Sequence, residues 1–246
     1  MKMDKKKDNE KFSLIVPFYN EENNVAILHK EIVETLRNLS CEVIYVNDGS
    51  TDNTHRELIK AVGSSKLPFI VKVVDTRDNF GQSFALKTGL LYASYDAVIF
   101  MDGDLQNNPK DIHALLKKLL EGYDLVQGVR VNREDPLLTK KIPSKLANIL
   151  LSMVCKNKFH DLGCSLKIFY KYNIDNFMFY KGFHRILPIY YYLKGAKVAE
   201  ITVSHRRRVY GVTKYGFLRT FDILFEVIKI NFLKINPVFL YTSPVS

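Results

Sequence analysis

The sequence predicts an α/β fold, with a mostly parallel central sheet and helices on both faces. Short apolar runs alternate with stretches of helical periodicity along the first 130 residues. The runs are continuous rather than alternating in polarity, as expected of strands buried on both faces. The chain has 246 residues, 47% of them hydrophobic and 25% charged, enough for one compact domain with a full core. These values exclude wholesale disorder, a collagen-like repeat and a disulfide-stapled miniprotein.

Each element has its own signal. Residues 1–11 are charged and carry no apolar run, which predicts a disordered basic tail and excludes a signal or transit peptide. Residues 12–16 read as a strand stopped by Pro17, and 25–39 as a helix with apolar Val25, Ile27, Leu28, Ile32, Val33, Leu36 and Leu39. A strand over 42–46 ends in Asn47-Asp48-Gly49-Ser50, after which Thr51 or Asp52 caps a helix through 62. A strand over 69–74, a helix over 82–93 and a strand over 97–101 follow. A helix over 109–120 opens on Pro109, a position that tolerates proline, and 125–129 is the fifth strand. Beyond it the pattern is less regular: helices over 142–154, 183–193 and 217–233, and strands over 166–170 and 197–203. No internal repeat or long linker interrupts it. The division expected is a tail over 1–11, one main domain over 12–204, and a basic loop with an amphipathic helix over 205–246.

Lys and Arg total 36 against 26 Asp and Glu, a formal net charge of +10. That excess favours an anionic partner: nucleic acid, an anionic membrane surface or a phosphorylated substrate. Cys41, Cys155 and Cys164 form no Cys-x-x-Cys pair and read as reduced thiols of a cytosolic protein. No uncharged apolar stretch approaches the roughly 18 residues of a membrane span.

Ligands of open α/β sheets bind outside the carboxyl ends of the strands, here the loops after Val16, Val46, Met101 and Val129. After the fourth strand stands Met101-Asp102-Gly103-Asp104-Leu105-Gln106. Two carboxylates two residues apart at the end of a buried strand repel each other, and a divalent cation with hard oxygen ligands, Mg²⁺ or Mn²⁺, removes that cost. An Asp-x-Asp also occurs in solvated turns. A phosphatase would place such a motif on the first strand with a Thr soon after. The first loop carries Tyr19, Glu21 and Glu22, and the second carries Asp48 and Asp52. Each alone reads as a turn or helix cap. Together they set carboxylates, an aromatic ring and amides on three neighbouring strand ends. The phosphate-cradling loops of ATP and NAD sites are missing, which points to a nucleotide-sugar held by a metal and side chains.

Val16-Pro17-Phe18-Tyr19-Asn20-Glu21-Glu22-Asn23, Asn47-Asp48-Gly49-Ser50-Thr51-Asp52, Asn79-Phe80-Gly81-Gln82 and Asp102-Gly103-Asp104-Leu105-Gln106 together resemble the family 2 glycosyltransferases. More narrowly, the chain is similar to the polyprenyl-phosphate (dolichol-phosphate mannose synthase-like) group, from about Phe12 to Leu240. The resemblance implies a GT-A fold, inverting transfer and Mg²⁺ or Mn²⁺. It implies that Pro17, Tyr19, Glu21 and Asp48, with Asp102 and Gly103, hold the donor nucleotide, and that Asp104 and Gln106 face the metal. His205-Arg206-Arg207-Arg208-Val209-Tyr210-Gly211-Val212-Thr213-Lys214-Tyr215-Gly216 resembles the family's His-x-x-Arg-x-x-Gly-x-Ser-Lys-Tyr-Gly segment, with Thr213 in place of Ser. No acidic residue occurs between Ile201 and Phe221, so the segment cannot neutralise itself and is suited to gripping phosphate. Arg208, Lys214, Arg130, Arg133 and Lys141 are the acceptor-phosphate candidates, and Asp161, in a turn matching the family's Asp-x-Gly, a candidate for orienting the acceptor or a proton. A zinc site from His160, Asp161 and Cys164 has no supporting spacing.

The expected reaction moves a sugar from a UDP- or GDP-sugar to a polyprenyl monophosphate at the cytoplasmic membrane face. The nucleophile is an anionic phosphate oxygen, so positioning and electrostatics replace a strong base. Asp104, Arg130, Asp161, Arg208 and Lys214 are the candidates for catalysis. A family 2 enzyme with a sugar-hydroxyl acceptor would need a defined base. A nucleic-acid-binding protein would leave the acidic strand ends unexplained, since they repel a phosphate backbone, and a silent scaffold would not need the acidic and basic motifs. In 217–233, Arg219, Asp222, Glu226 and Lys229 form one polar stripe on an otherwise apolar helix. It is expected to pack on the domain or in a homo-oligomer, or to lie on an anionic membrane. A chain ending at Ser246 reads as naturally peripheral or as truncated before transmembrane helices.

Overall fold

The computed structural model describes residues 11–64, 67–130, 159–174 and 182–208. Seven strands form one sheet in the order β3-β2-β1-β4-β6-β5-β7. In chain order they are β1 (Phe12–Phe18), β2 (Cys41–Asp48), β3 (Ile70–Thr76), β4 (Ala97–Phe100), β5 (Leu125–Arg130), β6 (Lys167–Tyr170) and β7 (Val198–Val203). The helices between them are α1 (Glu22–Leu36), α2 (Thr54–Ser64), α3 (Gln82–Tyr92), α4 (Ile112–Leu120) and α5 (Phe183–Leu193). Strands β1 to β5 and β7 run parallel, and β6 is antiparallel to both β4 and β5. The mostly parallel sheet read from the sequence is therefore present, with one reversed strand. That reversal brings the start of β6 to the edge where the parallel strands end.

Helices cover both faces, as the doubly apolar strands require. On one face Val25, Leu28 and Ile32 of α1, Leu58 of α2 and Leu115 and Leu119 of α4 pack on Leu14, Val16, Val43 and Ile99. On the other, Ala85 and Leu86 of α3 and Phe183, Ile186 and Leu187 of α5 pack on Ile15, Ile44, Phe100 and Phe169. Strand parity thus sends alternate side chains of β1 to different helices.

Several boundaries differ from the sequence reading, three of them for a local reason. β1 does not stop at Pro17 but runs to Phe18, with Pro17 paired to Val46. Ile15 and Pro17 point the same way, and β1 pairs β4 only as far as Ile15. The missing Pro17 N–H therefore faces a side where the ladder has ended, which removes the usual objection to proline in a strand. Helix α1 begins at Glu22 rather than Val25, because Asn24 N–H already bonds the Glu21 carbonyl at 2.8 Å. Pro109 opens a 3₁₀ turn, Pro109–Asp111, that leads into α4. Asp52 is the cap of α2: its carboxylate accepts from Thr54 N–H at 2.9 Å. The tail over 1–10 and the expected helices over 142–154 and 217–233 lie outside the described residues, and no described helix is long and apolar enough to cross a membrane.

Candidate active site

The carboxyl ends of β1, β2 and β4 are tied to one another before any ligand is considered. The Asn20 N–H donates to Ser50 Oγ at 3.0 Å, Thr51 N–H to Asn20 Oδ1 at 2.8 Å, and Glu21 N–H to Thr54 Oγ1 at 2.8 Å. Asn20 holds φ 51°, in the left-handed region that asparagine tolerates. Tyr19 is half-buried beside it. Asp48, at the end of β2, is buried, and its two carboxylate oxygens accept from Phe80 N–H at 3.1 Å and Gly81 N–H at 2.9 Å. Asp48 thus anchors the turn into α3, a task the sequence reading did not assign to it.

The acidic loop after β4 is built around two contortions. Gly103 leaves no room for a side chain: an added Cβ would meet Phe18 Cδ1 at 2.7 Å and the Pro17 carbonyl oxygen at 2.8 Å. Leu105, buried, holds φ 64°, a conformation unusual for a bulky residue and one that costs about 1 kcal/mol or more. The turn at Leu105 lets Gln106 N–H reach back to Asp104 Oδ1 at 3.2 Å. Asn107, which the sequence reading missed, holds the loop from behind: its Oδ1 accepts from Asp102 N–H at 3.0 Å and from Ser165 Oγ at 2.9 Å. The two aspartates face different ways. Asp102 bonds the Gln82 amide at the start of α3, whereas Asp104 faces Glu21 and the segment after β7.

That segment is basic and crosses the site. Arg206 N–H bonds the Gln106 carbonyl at 2.9 Å, Asn107 and His205 form a bridge, and His205 Nε2 lies 3.4 Å from Gln106 Nε2. Arg206 forks onto Glu31 of α1 at 2.7 and 3.0 Å. Arg208 Nη2 donates to Asp104 Oδ2 at 2.6 Å, and its Nη1 lies 3.9 Å from Glu21 Oε1. Burial raises the Asp104 pKa above its ordinary value, opposed by the Arg208 guanidinium and the Gln106 N–H and assisted by the Glu21 charge. Asp104 and Gln106, expected to face a metal, therefore stand together with His205 and Arg208.

Arg130 and Asp161 face each other in a two-pronged pair, Nε to Oδ2 at 2.6 Å and Nη2 to Oδ1 at 2.8 Å. Asp161 also accepts from the N–H groups of Arg130 and Gly163, both at 3.2 Å. So engaged, Asp161 positions Arg130 and is poorly suited to take a proton. His160 bonds Glu200 of β7 through Nδ1 at 2.6 Å, and Cys164 is a buried thiol. Those three potential zinc ligands thus have separate structural partners. Arg133, Lys141 and Lys214 lie outside the described residues.

The donors present suit a hard divalent cation. Asp104, Gln106 and His205 offer a carboxylate, an amide and an imidazole, and a cation of the Mg²⁺ type is commonly held by one or two carboxylates plus substrate phosphates. Among the described residues no three His, Cys, Asp or Glu side chains converge, so phosphate oxygens of a ligand would have to complete the shell. The guanidinium on Asp104 and near Glu21 marks the same spot as one that attracts positive charge.

An acid-lined strand edge without a Gly-rich phosphate loop, crossed by arginines, sits on a fold shared with the GT-A glycosyltransferases. Glucosyl-3-phosphoglycerate synthase from Mycobacterium tuberculosis, solved with phosphoglyceric acid, matches with a TM-score of 0.68 at 17% identity, over 89% of this chain and 79% of its own. A mannosyltransferase from Pyrobaculum calidifontis, solved with GDP-Man and Mn²⁺, matches with a TM-score of 0.65 at 19% identity, over 90% and 65%. More particularly, residues 13–182 match glycosyl transferase family 2, and the chain belongs to that family. Dodecaprenyl-phosphate galacturonate synthase of Rhizobium johnstonii is 37% identical over 225 residues, 89% of this chain and 66% of that protein. Undecaprenyl-phosphate 4-deoxy-4-formamido-L-arabinose transferase of Pectobacterium carotovorum is 31% identical over 223 residues, 90% and 67%. The chain spans about two thirds of the length of these curated relatives.

Proposed function

We propose that this chain transfers a sugar from a UDP- or GDP-sugar to a polyprenyl monophosphate at the cytoplasmic face of a membrane, with inversion at the anomeric carbon. The observation that carries the reading is Arg208 set 2.6 Å from Asp104. It brings a segment rich in cations to the acidic edge where a donor diphosphate and its metal would bind. The two relatives named above, whose names specify dodecaprenyl- and undecaprenyl-phosphate, support the acceptor class.

In this reading a phosphate oxygen of the acceptor attacks the anomeric carbon, and the bond from that carbon to the nucleoside diphosphate breaks. Asp104, with Gln106 and His205, would hold Mg²⁺ or Mn²⁺, which when bound would neutralise charge on the leaving diphosphate. Arg208 leaves Asp104 for phosphate oxygens and lowers the repulsion between two anionic reactants. Arg130, oriented by Asp161, stands ready for the same work from β5. Tyr19 and Glu21, with the β1 and β2 loops, hold the nucleoside. Arg207, exposed, would meet an anionic membrane surface.

A panel of radiolabelled UDP- and GDP-sugars, with Mn²⁺ and a short polyprenyl phosphate, tests this. Label entering the lipid phase only with metal and acceptor is the expected outcome. Label transferred instead to a sugar hydroxyl, with none in the lipid phase, contradicts the acceptor assignment.

A further inference from the structure

Asn24, in the first turn of α1, is 1% exposed and lies on the side of the helix that carries the buried Val25, Leu28 and Ile32. A polar side chain there needs a reason, since an apolar one of similar volume would pack with these neighbours and lose no hydration. Only half of the amide is satisfied. Asn24 Nδ2 donates to Glu21 Oε2, whereas no protein group bonds Asn24 Oδ1. An acceptor buried without a donor forfeits its bonds to water, so asparagine is a poor choice for stability alone.

The usual task of a polar residue at this place is to cap the helix, and the hydrogen bonds exclude it. Asn24 stands three residues after Glu21, the spacing of a capping box. In such a box its side chain would accept from the Glu21 N–H, but that N–H donates to Thr54 Oγ1 at 2.8 Å. The Glu21 side chain would accept from the Asn24 N–H, but that N–H bonds the Glu21 carbonyl at 2.8 Å. The amide is therefore directed to the carboxylate of Glu21 and not to the helix. It fixes Oε2 and leaves Oε1 on the side of Arg208, 3.9 Å from Nη1. The same guanidinium lies 2.6 Å from Asp104 Oδ2. One cationic group thus stands by both acids, which are near enough for their charges to repel. A neutral amide orients a carboxylate without cancelling its charge, whereas a basic side chain in its place would do both.

We propose that Asn24 is a positioning residue for the divalent cation. It turns Glu21 towards Asp104, so that two carboxylates rather than one draw the cation to the spot Arg208 marks. Glu21 acts in this way besides its part in holding the nucleoside, and Asn24 itself touches neither cation nor donor. This rests on the reading that places Mg²⁺ or Mn²⁺ at Asp104. Its mark is a separation of binding from stability. Asn24→Leu fills the same space beside Val25 and Leu28 and removes the unpaired oxygen, but sets Glu21 loose.

Calorimetry of Mn²⁺ binding to the whole chain, with and without UDP or GDP, tests this alongside thermal melting. Asn24→Leu should weaken Mn²⁺ binding at least about fivefold, equivalent to about 1 kcal/mol. Its melting temperature should stay within about 4 °C of the wild type. Glu21→Gln should weaken Mn²⁺ binding to at least the same degree. Adding Asn24→Leu to Glu21→Gln should then change affinity by less than about twofold, because the two residues act through one contact. Unchanged Mn²⁺ affinity in Asn24→Leu or in Glu21→Gln overturns the proposal, as does a loss from Asn24→Leu that persists in the Glu21→Gln background. An Asn24→Leu variant that melts far lower or does not fold overturns it too, by making Asn24 a residue of the fold. A wild type that binds no Mn²⁺, alone or with nucleotide, would overturn the metal reading of Asp104 as well.

Discussion

Along β3-β2-β1-β4 every strand is parallel, and the acidic side chains at their ends are held largely by backbone N–H groups: Asp48 by Phe80 and Gly81, Asp104 by Gln106. Along β6-β5-β7 one strand is reversed and the edge carries cations, each met by an acid or a carbonyl: Arg130 by Asp161, Arg206 by Glu31, Lys167 by the His184 carbonyl. The acidic half is held chiefly by backbone N–H groups, those of Phe80 and Gly81 on Asp48 and that of Gln106 on Asp104, to which Arg208 adds a counter-ion. The basic half is organised by contacts distant in sequence, such as Arg208 with Asp104. The comparison teaches where each reactant belongs. Fixed carboxylates suit a metal and a nucleotide, whereas arginines that exchange one anionic partner for another suit a reactant that arrives and leaves.

The comparison can be broken most sharply at Asp104. Asp104→Asn keeps the shape of the loop but halves the charge shared with Glu21, and metal-dependent transfer should fall by about 10²–10³-fold. Turnover titrated with Mn²⁺, alongside thermal melting, checks this; near-wild-type turnover at low metal would remove Asp104 from the role. On the basic side, Asp161→Ala strands Arg130, whose side chain is 13% exposed. Loss of one partner from such a pair should cost about 3–5 kcal/mol of stability in urea titrations. A cost below about 1 kcal/mol would mean that Arg130 is as well served by water.

Lys167 gives a pH signature. Its pKa is depressed to about 8 in the fold, whereas an unfolded lysine titrates at the ordinary value near 10.5. Between those values the unfolded chain binds more protons, so this group adds stability as pH rises from about 8 to about 10.5 and subtracts most below 8. The melting temperature of the wild type relative to Lys167→Met should therefore climb over that interval. A flat difference would place the amine in contact with water or with an anion. The smallest effect is expected at Lys60, exposed and 3.4 Å from Glu57. Lys60→Ala should change stability by less than about 0.5 kcal/mol, setting the scale for the others.

The acidic half was legible in sequence because its signals are local. A continuous apolar run followed by Asp-Gly-Asp, or by Asn-Asp-Gly-Ser, locates a strand end and its carboxylates within six residues. The helices expected over 82–93 and 183–193 are present, and α3 and α5 match them within one residue. The reversal of β6 was not legible, since a four-residue apolar run carries no direction. Nor was the burial of Lys167 and Arg185, which alternation and periodicity assign to a surface and only the packing of α5 on α3 decides. Asn107 was hidden for a similar reason: it reads as one more polar loop residue until Asp102 N–H and Ser165 are found on its carbonyl oxygen. Arg208 was singled out as a candidate phosphate ligand through the resemblance of its segment, but its hold on Asp104 spans 104 residues and follows only from the fold.

The division of labour between the two halves is tested most directly by nucleotide-sugar affinity in Mn²⁺, measured by calorimetry for Asp104→Asn and Arg208→Gln side by side, with transfer to polyprenyl phosphate measured on the same preparations. Asp104→Asn should lose the metal-dependent part of donor binding. Arg208→Gln should keep donor affinity within about threefold, or tighten metal binding because a competing cation has left Asp104, while transfer falls at least about tenfold. Equal loss of donor affinity in the two variants would contradict the account and assign Arg208 to the donor diphosphate.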